Sequence, residues 1–466
     1  MKLLDSHAHL TDEKFAPDLD AVLERAREAG VVRILNAGSD LADSEKVIAL
    51  AERHDGMHAA VGIHPHEAKT ADGTAFERLR ELAKNAKVLA IGETGLDYHY
   101  DNSPRETQRE VFRSHIRLAK DTGLPLVVHS REAEEDTLRV LDEEDGWLPG
   151  GIFHSFTGSG RMARAAIENG WMVSLSGIVT FPSSTALRDV VKKLPYENLL
   201  IETDCPYLAP VPVRGKRNEP AFVVHTAEAV AQFMPLSPGD VARITLANFE
   251  RLFRLSTRPE EDTYVYPIRD SLYLNLTSRC TNECSFCVRE YLDGVSGYYL
   301  WLRKEPSVRE VLDAVGDPSR YDEIVFCGYG EPTLRLDVIK AAAKELRKRG
   351  ARGFRLTTNG HANLIHGRNV VPELVGVIDR VSVSLDAHDS RTYQEVSRPK
   401  FKGVDVFAEV LKFAEECVRL LPRRSRGKPK VELTAVADPR VNVETCKRIA
   451  EKMGAAFRTR ELNVVG

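Results

Sequence analysis

The chain has 466 residues, 42% of them hydrophobic and 29% charged, a balance that excludes wholesale disorder and leaves room for about two to four domains. The net charge of −4 hides an asymmetry: residues 1–255 carry 30 Lys and Arg against 39 Asp and Glu, net −9, while residues 256–466 carry 35 against 30, net +5. Neither half is basic enough for a general nucleic-acid surface, so any such contact must be local.

No run approaches the roughly 18 apolar residues that a membrane span needs. The opening MKLLDSHAHL places Asp5 and two histidines where a secretory signal needs an apolar core of about 7–15 residues, so a cytoplasmic protein is expected. Eleven of the fourteen histidines precede residue 256, and six of the seven cysteines follow it. An odd cysteine count without a secretion signal argues against a disulfide framework. Two different chemistries share one chain.

In the first part, apolar runs suited to buried parallel strands occur at 2–5, 31–36, 58–63, 87–92, 125–129, 150–154, 171–176 and 199–203. Amphipathic stretches such as 18–29, 105–120 and 162–168 lie between them. Eight βα units in about 255 residues is the size of a closed TIM (β/α)8 barrel. His7 and His9 follow the first run, His64 the third and Glu93 the fourth; His129 ends the fifth, His154 the sixth, and Asp204 follows the eighth. In a barrel those strand ends converge on one face. A lone His-x-His is a weak signal. Six candidate ligands (His7, His9, Glu93, His129, His154 and Asp204) at the ends of five strands are what a dinuclear site needs, because imidazole and carboxylate suit Zn²⁺, Mn²⁺ or Mg²⁺ and a carboxylate can bridge two ions.

Six segments carry a resemblance: DSHAHL at 5–10, GIHPH at 62–66, GETGLDYH at 92–99, HSREA at 129–133, HSFTG at 154–158 and ETDCPYL at 202–208. Residues 1–255 resemble the TatD family of metal-dependent hydrolases, which have an amidohydrolase-type TIM barrel. The resemblance implies that His7, His9, Glu93 and Asp204 hold one metal and that Glu93 bridges to a second, held also by His129 and His154. It further implies that Asp204 acts as general base toward the metal-bound water and that His64 contacts the scissile phosphate. The implied activity is phosphodiester cleavage in DNA, 3′ to 5′ on single strands. Two neighbours stay open: the RGKR segment at 214–217 reads either as a phosphate contact at the barrel mouth or as a plain surface loop, and Cys205, next to Asp204, reads as a small packed residue rather than a thiol ligand because the site is complete without it.

Residues 256–267 are polar and Pro-containing, as expected of a linker after the amphipathic segment 238–255. A second alternation follows, with strand-like runs near 271–277, 323–327, 353–358, 380–385, 430–436 and 455–460 and helical stretches at 307–315, 336–349, 405–420 and 443–453. Six βα units in 211 residues suit a partial (β/α)6 barrel over 268–466. The basic run PRRSRGKPK at 422–430 reads as a solvated loop.

Cys280, Cys284 and Cys287 form CxxxCxFC after a strand-like run, a spacing at which thiolates wrap a metal ion or cluster. A structural zinc would need a fourth ligand, and no further Cys or His lies nearby in sequence. The spacing resembles the radical S-adenosylmethionine superfamily, and the fusion resembles a TatD-linked radical SAM protein. CGYGEP at 327–332 is similar to that superfamily's GGEP motif, with Tyr329 where glycine is usual, so Gly330, Glu331 and Pro332 are carried over. TTNG at 357–360 and SVSLDA at 382–387 resemble the third- and fourth-strand motifs, which places Asn359, Ser384 and Asp386 beside the cofactor. The resemblance implies a [4Fe–4S] cluster, S-adenosyl-L-methionine, an electron donor such as flavodoxin or ferredoxin, and hydrogen abstraction from an unknown substrate. Cys327, Cys417 and Cys446 read as ordinary thiols.

The leading expectation is a bifunctional enzyme. The alternatives are a hydrolase of a small ester or amide, or of mischarged aminoacyl-tRNA, and a first barrel that serves only as a scaffold; for the second domain the contrast is a zinc-binding module.

Overall fold

The computed structural model describes residues 1–255, 258–421, 424–425 and 428–460. It divides into two compact units, Met1–Thr257 and Arg258–Gly466.

In the first unit eight strands follow one another in chain order: β1 (Leu3–Ala8), β2 (Val31–Ala37), β3 (Met57–Val61), β4 (Val88–Asp97), β5 (Leu126–Arg131), β6 (Gly151–Phe153), β7 (Met172–Leu175) and β8 (Leu199–Ile201). Every neighbouring pair is parallel, with helices in the connections. The seam closes just past β1 and β8, where Ala8 bridges Cys205, the His9 amide donates to the Cys205 carbonyl (2.8 Å) and the Asp204 amide donates to the His7 carbonyl (2.9 Å). The expected runs match these strands because residues buried on both faces leave continuous apolar sequence.

Side chains alternate across each strand, so one set faces the helices and the other fills the barrel. The inward set includes Leu4, Leu35, Ala60, Ala90, Val127, Ile152, Met172 and Leu200, packed with Phe249 and Phe253. Those two rings come from Pro238–Leu252 and its C-terminal cap, and they plug the amino-terminal end of the barrel. That helix starts at a capping box in which Ser237 and Asp240 satisfy each other's backbone amides, with Pro238 at its first position. Phe249 is fully buried, and its truncation to Ala would cost about 3–5 kcal/mol.

The second unit has six parallel strands, β10 (Ser271–Leu274), β11 (Glu323–Phe326), β12 (Phe354–Thr358), β13 (Arg380–Ser384), β14 (Val431–Val436) and β15 (Ala456–Arg460), in sequential order. A seventh, β9 (Val265–Ile268), pairs antiparallel with β10 at the edge. This corrects the linker expectation for 256–267, whose last residues are strand. Tyr266 is buried there against Tyr273, and Pro267 is tolerated because an edge strand need not donate on both sides. Residues 256 and 257, and 422, 423, 426 and 427 of the basic run at 422–430, lie outside the described residues. No described helix is long and apolar enough to cross a membrane.

Candidate metal centre and cofactor sites

The barrel seam and the metal centre are built by the same hydrogen bonds. Closing β8 onto β1 through His7, His9, Asp204 and Cys205 sets three candidate ligands side by side. Asp204 holds a left-handed backbone (φ 56°), which bulky residues rarely adopt, and this turns its carboxylate toward the centre. Gly95 (φ +124°) lets β4 lie close on β5: a Cβ there would stand 2.1 Å from the His129 carbonyl oxygen.

Glu93 is buried, and its two oxygens face different groups. Its Oε2 lies 3.1 Å from His7 Nε2 and 3.4 Å from His9 Nε2. Its Oε1 lies 2.9 Å from His154 Nε2, 3.1 Å from His129 Nδ1 and 3.2 Å from His64 Nε2. Asp204 Oδ1 completes the first group, 3.4 Å from His9 Nε2. Ring nitrogens also meet in pairs, His7 with His9 and His129 with His154, each at 3.1 Å. Converging imidazole and carboxylate lone pairs fit divalent cations. His7, His9 and Asp204 lie within coordination range of one another, as do His64, Glu93 and His129. All seven sequence-named residues of this barrel therefore meet, and His64 stands inside the second donor group.

Burial alone would raise the Glu93 carboxyl. The imidazoles of His154, His64 and His7 and the bond to His129 outweigh it and hold the carboxyl well below the ordinary range. Asp204 is likewise lowered, against burial, by its bond with His9 and by the surrounding imidazoles. Burial brings His64 down to about 4 although Glu93 pulls the other way.

Three supporting carboxylates escaped sequence reasoning, though each lies inside a quoted motif. Asp97 Oδ2 lies 3.0 Å from His129 Nε2 and 3.1 Å from His66 Nε2. Glu202 Oε1 lies 3.3 Å from His154 Nδ1 and accepts the Ser155 amide at 2.6 Å. Asp5 accepts from the Thr203 amide (2.8 Å) and hydroxyl (2.6 Å), tying β1 to the residue before Asp204. The available signal was the second acid in GETGLD and the first in ETD, since ligand histidines need an acceptor on their far nitrogen.

Above the centre opens a cavity of about 940 Å³. Its rim includes Asp12, Glu13, Asp40, Asp43 and Glu67, against the cations Lys46 and Arg131. The RGKR segment is a structural loop: Arg217 forms a two-pronged pair with Asp18 (2.7 and 2.8 Å), and Arg214 lies over the Phe181 ring (4.2 Å). Cys205 is fully buried, and burial raises its thiol well above the ordinary value.

In the second unit Cys280, Cys284 and Cys287 lie on the loop after β10, close enough that each thiolate would feel the others' charge. Burial raises the Cys280 and Cys284 thiols, so holding them as thiolates requires a compensating cation. Three partly buried thiols gathered on one loop are a donor set that fits a thiolate-held metal centre.

The loop is braced from behind. Thr281 Oγ1 meets His361 Nδ1 (2.8 Å), Asn282 Nδ2 donates to Tyr393 Oη (3.3 Å), and Asn359 Nδ2 donates to Thr281 Oγ1 (2.9 Å) and approaches Cys280 Sγ (3.9 Å). Gly330 packs against the residue before Cys280: a Cβ would stand 2.0 Å from the Arg279 carbonyl oxygen. Glu331 is buried and accepts from the Thr333 amide and hydroxyl, the Thr358 hydroxyl and the Asn359 amide at 2.6–3.0 Å, so its carboxylate links β11 to β12. Pro332 is buried beside it. Asp386 is paired with Arg460 (2.8 and 2.9 Å). Ser384 ends β13 and is half-buried. Glu331 and Asp386 thus spend their carboxylates on the protein.

Comparison with known proteins adds relatives. A family model described as TatD related DNase matches residues 4–254, and one described as Radical SAM superfamily matches 274–453. The chain is 43% identical over 254 residues to the uncharacterized metal-dependent hydrolase YabD of Bacillus subtilis, covering 54% of this chain and 100% of that protein. It is 36% identical over 262 residues to the 3'-5' ssDNA/RNA exonuclease TatD of Cronobacter sakazakii, covering 55% and 100%. The crystal structure of the TatD homolog YJJV from Escherichia coli superposes with a TM-score of 0.52 at 30% identity, covering 55% of this chain and 98% of that one.

Proposed function

Since the chain belongs to the TatD-related DNase family over residues 4–254 and carries a radical SAM superfamily domain over 274–453, we propose that its first barrel is a two-metal phosphodiesterase that shortens single-stranded DNA from the 3′ end. The observation that carries this is Glu93, whose two oxygens face separate donor groups beneath an open cavity. The named activity of the Cronobacter relative supports the polarity. The two activities would divide between the units Met1–Thr257 and Arg258–Gly466.

Divalent ions held by His7, His9, Glu93 and Asp204, and by Glu93, His129 and His154, would polarise a phosphoryl oxygen and lower the pKa of a shared water. Asp204 would take the proton from the attacking water: both carboxylates line the cavity, but that of Asp204 is 13% exposed against 2% for Glu93. His64, neutral through burial, has its Nε2 beside Glu93, where it meets either the phosphate or the second ion. The test is stepwise shortening of end-labelled single strands with Mg²⁺ or Mn²⁺, lost in Asp204→Asn. Intact DNA with a fully metallated protein would overturn the reading. It would favour a small ester or amide instead, a reading to which the acidic rim lends support.

For the second unit we propose a [4Fe–4S] cluster on Cys280, Cys284 and Cys287 that supplies an electron to S-adenosylmethionine. Gly330 and its neighbours would hold the methionine end, and Asn359 would steady the loop that carries Cys280. Ser384 would face the ribose or the carboxylate, with Asp386, paired to Arg460, holding that strand end in place. A brown anaerobic preparation that yields 5′-deoxyadenosine on reduction supports this; a colourless protein carrying zinc would contradict it.

A further inference from the structure

Two tyrosines stand on opposite sides of the metal cavity. Among the described Phe, Tyr and Trp residues of the first unit, Tyr100 and Tyr207 are the exposed ones, at 56% and 48%, and both line the cavity. Tyr100 follows β4 and Tyr207 follows β8, four strands apart in an eight-stranded barrel, so they face each other across the mouth. Each is tied to the catalytic frame through its backbone. The Tyr207 amide donates to the Asp204 carbonyl (2.9 Å), and the Tyr100 amide donates to Asp97 Oδ1 (3.0 Å), the carboxylate that also holds His129. Each ring also has a cation over it: Lys14 Nζ is 4.5 Å from the Tyr207 centroid, and Arg131 Cζ is 4.8 Å from that of Tyr100.

The rim does not favour a polyanion by charge, since its acids outnumber Lys46 and Arg131. Affinity for a nucleic acid must then come from the metal centre and from the faces of bases. We infer that Tyr100 and Tyr207 are stacking platforms for two unpaired nucleobases flanking the scissile phosphate, one on the His129 side and one on the Asp204 side. This rests on the phosphodiesterase reading and gives it a substrate class: a single-stranded end whose last two bases are free. Stacking accepts any base because each has a π-face, and a base held in a pair cannot be splayed onto a separate ring. A cavity of about 940 Å³ is within the range that encloses ligands of this size.

The experiment compares oligonucleotides with ordinary and with abasic terminal nucleotides, using wild type, Tyr100→Ala, Tyr207→Ala and the two Phe variants, all checked for metal content and melting. Each Ala variant should raise KM for ordinary ends about tenfold and shrink the preference over abasic ends, while each Phe variant stays within about threefold of wild type. Unchanged KM in the Ala variants, or Phe variants as impaired as Ala, would overturn the stacking role. If wild type shortens neither substrate, the phosphodiesterase reading falls separately. The platforms are then judged by binding of an oligonucleotide ending in 2-aminopurine: quenching relieved by the Ala variants supports them, and unchanged quenching overturns them.

Discussion

His129 Nε2 lies 3.0 Å from Asp97 Oδ2, on the far side of the ring from Glu93. The carboxylate fixes which nitrogen is free to face the centre. Asp97→Asn keeps an oxygen for the His99 and Tyr100 amides but places an NH₂ against His129. Affinity for the second ion should fall about 10- to 100-fold with the fold intact, as read by Mn²⁺ titration and circular dichroism. Wild-type affinity would show that the contact is incidental.

His115 sets a pH limit on the first barrel. It is fully buried; its Nε2 accepts the Ile63 amide (3.0 Å), and its Nδ1 donates to the Val111 carbonyl (2.8 Å), so only the neutral ring fits. Burial brings it down to about 4. The unfolded chain therefore binds one more proton between about pH 4 and 6.5, and stability is lost as pH falls through that window. The loss should approach ~3 kcal/mol near pH 4. Urea unfolding at pH 7 and pH 5 checks this, and His115→Gln should flatten the dependence.

Salt should matter little to substrate binding. With Lys46 and Arg131 on the rim and Lys14 beside Tyr207, the log–log slope of affinity against salt should not exceed about 2 in magnitude. A steep slope would place the nucleic acid on a basic surface elsewhere.

Tyr393 braces the cysteine loop of the second unit. Its hydroxyl meets His361 Nε2 (2.8 Å) and accepts from Asn282 Nδ2 (3.3 Å), all buried. Tyr393→Phe strands both partners at about 1–3 kcal/mol. Backbone hydrogen exchange across 280–287 should quicken and reconstituted iron should fall; unchanged exchange would contradict the bracing.

The strands of both barrels were legible because parallel strands buried on two faces leave apolar runs, and the ligand set because histidine and carboxylate recur at the ends of those runs. Asp97 and Glu202 left only a weak trace, an extra acid inside a ligand motif, because a bond to the far nitrogen of a ligand leaves no spacing rule in sequence. The edge strand at Val265–Ile268 hid behind the polar residues that precede it and behind Pro267, a poor strand residue except at an edge. Glu331 and Asp386 were placed beside a cofactor by motif; only packing shows that their carboxylates are spent on protein donors.

The most direct measurement is the Mn²⁺ stoichiometry of wild type, Glu93→Gln and His154→Ala. Wild type should bind two ions in the first barrel, Glu93→Gln should lose both together, and His154→Ala should weaken one. Two ions bound at wild-type affinity in Glu93→Gln would contradict a centre bridged by that carboxylate.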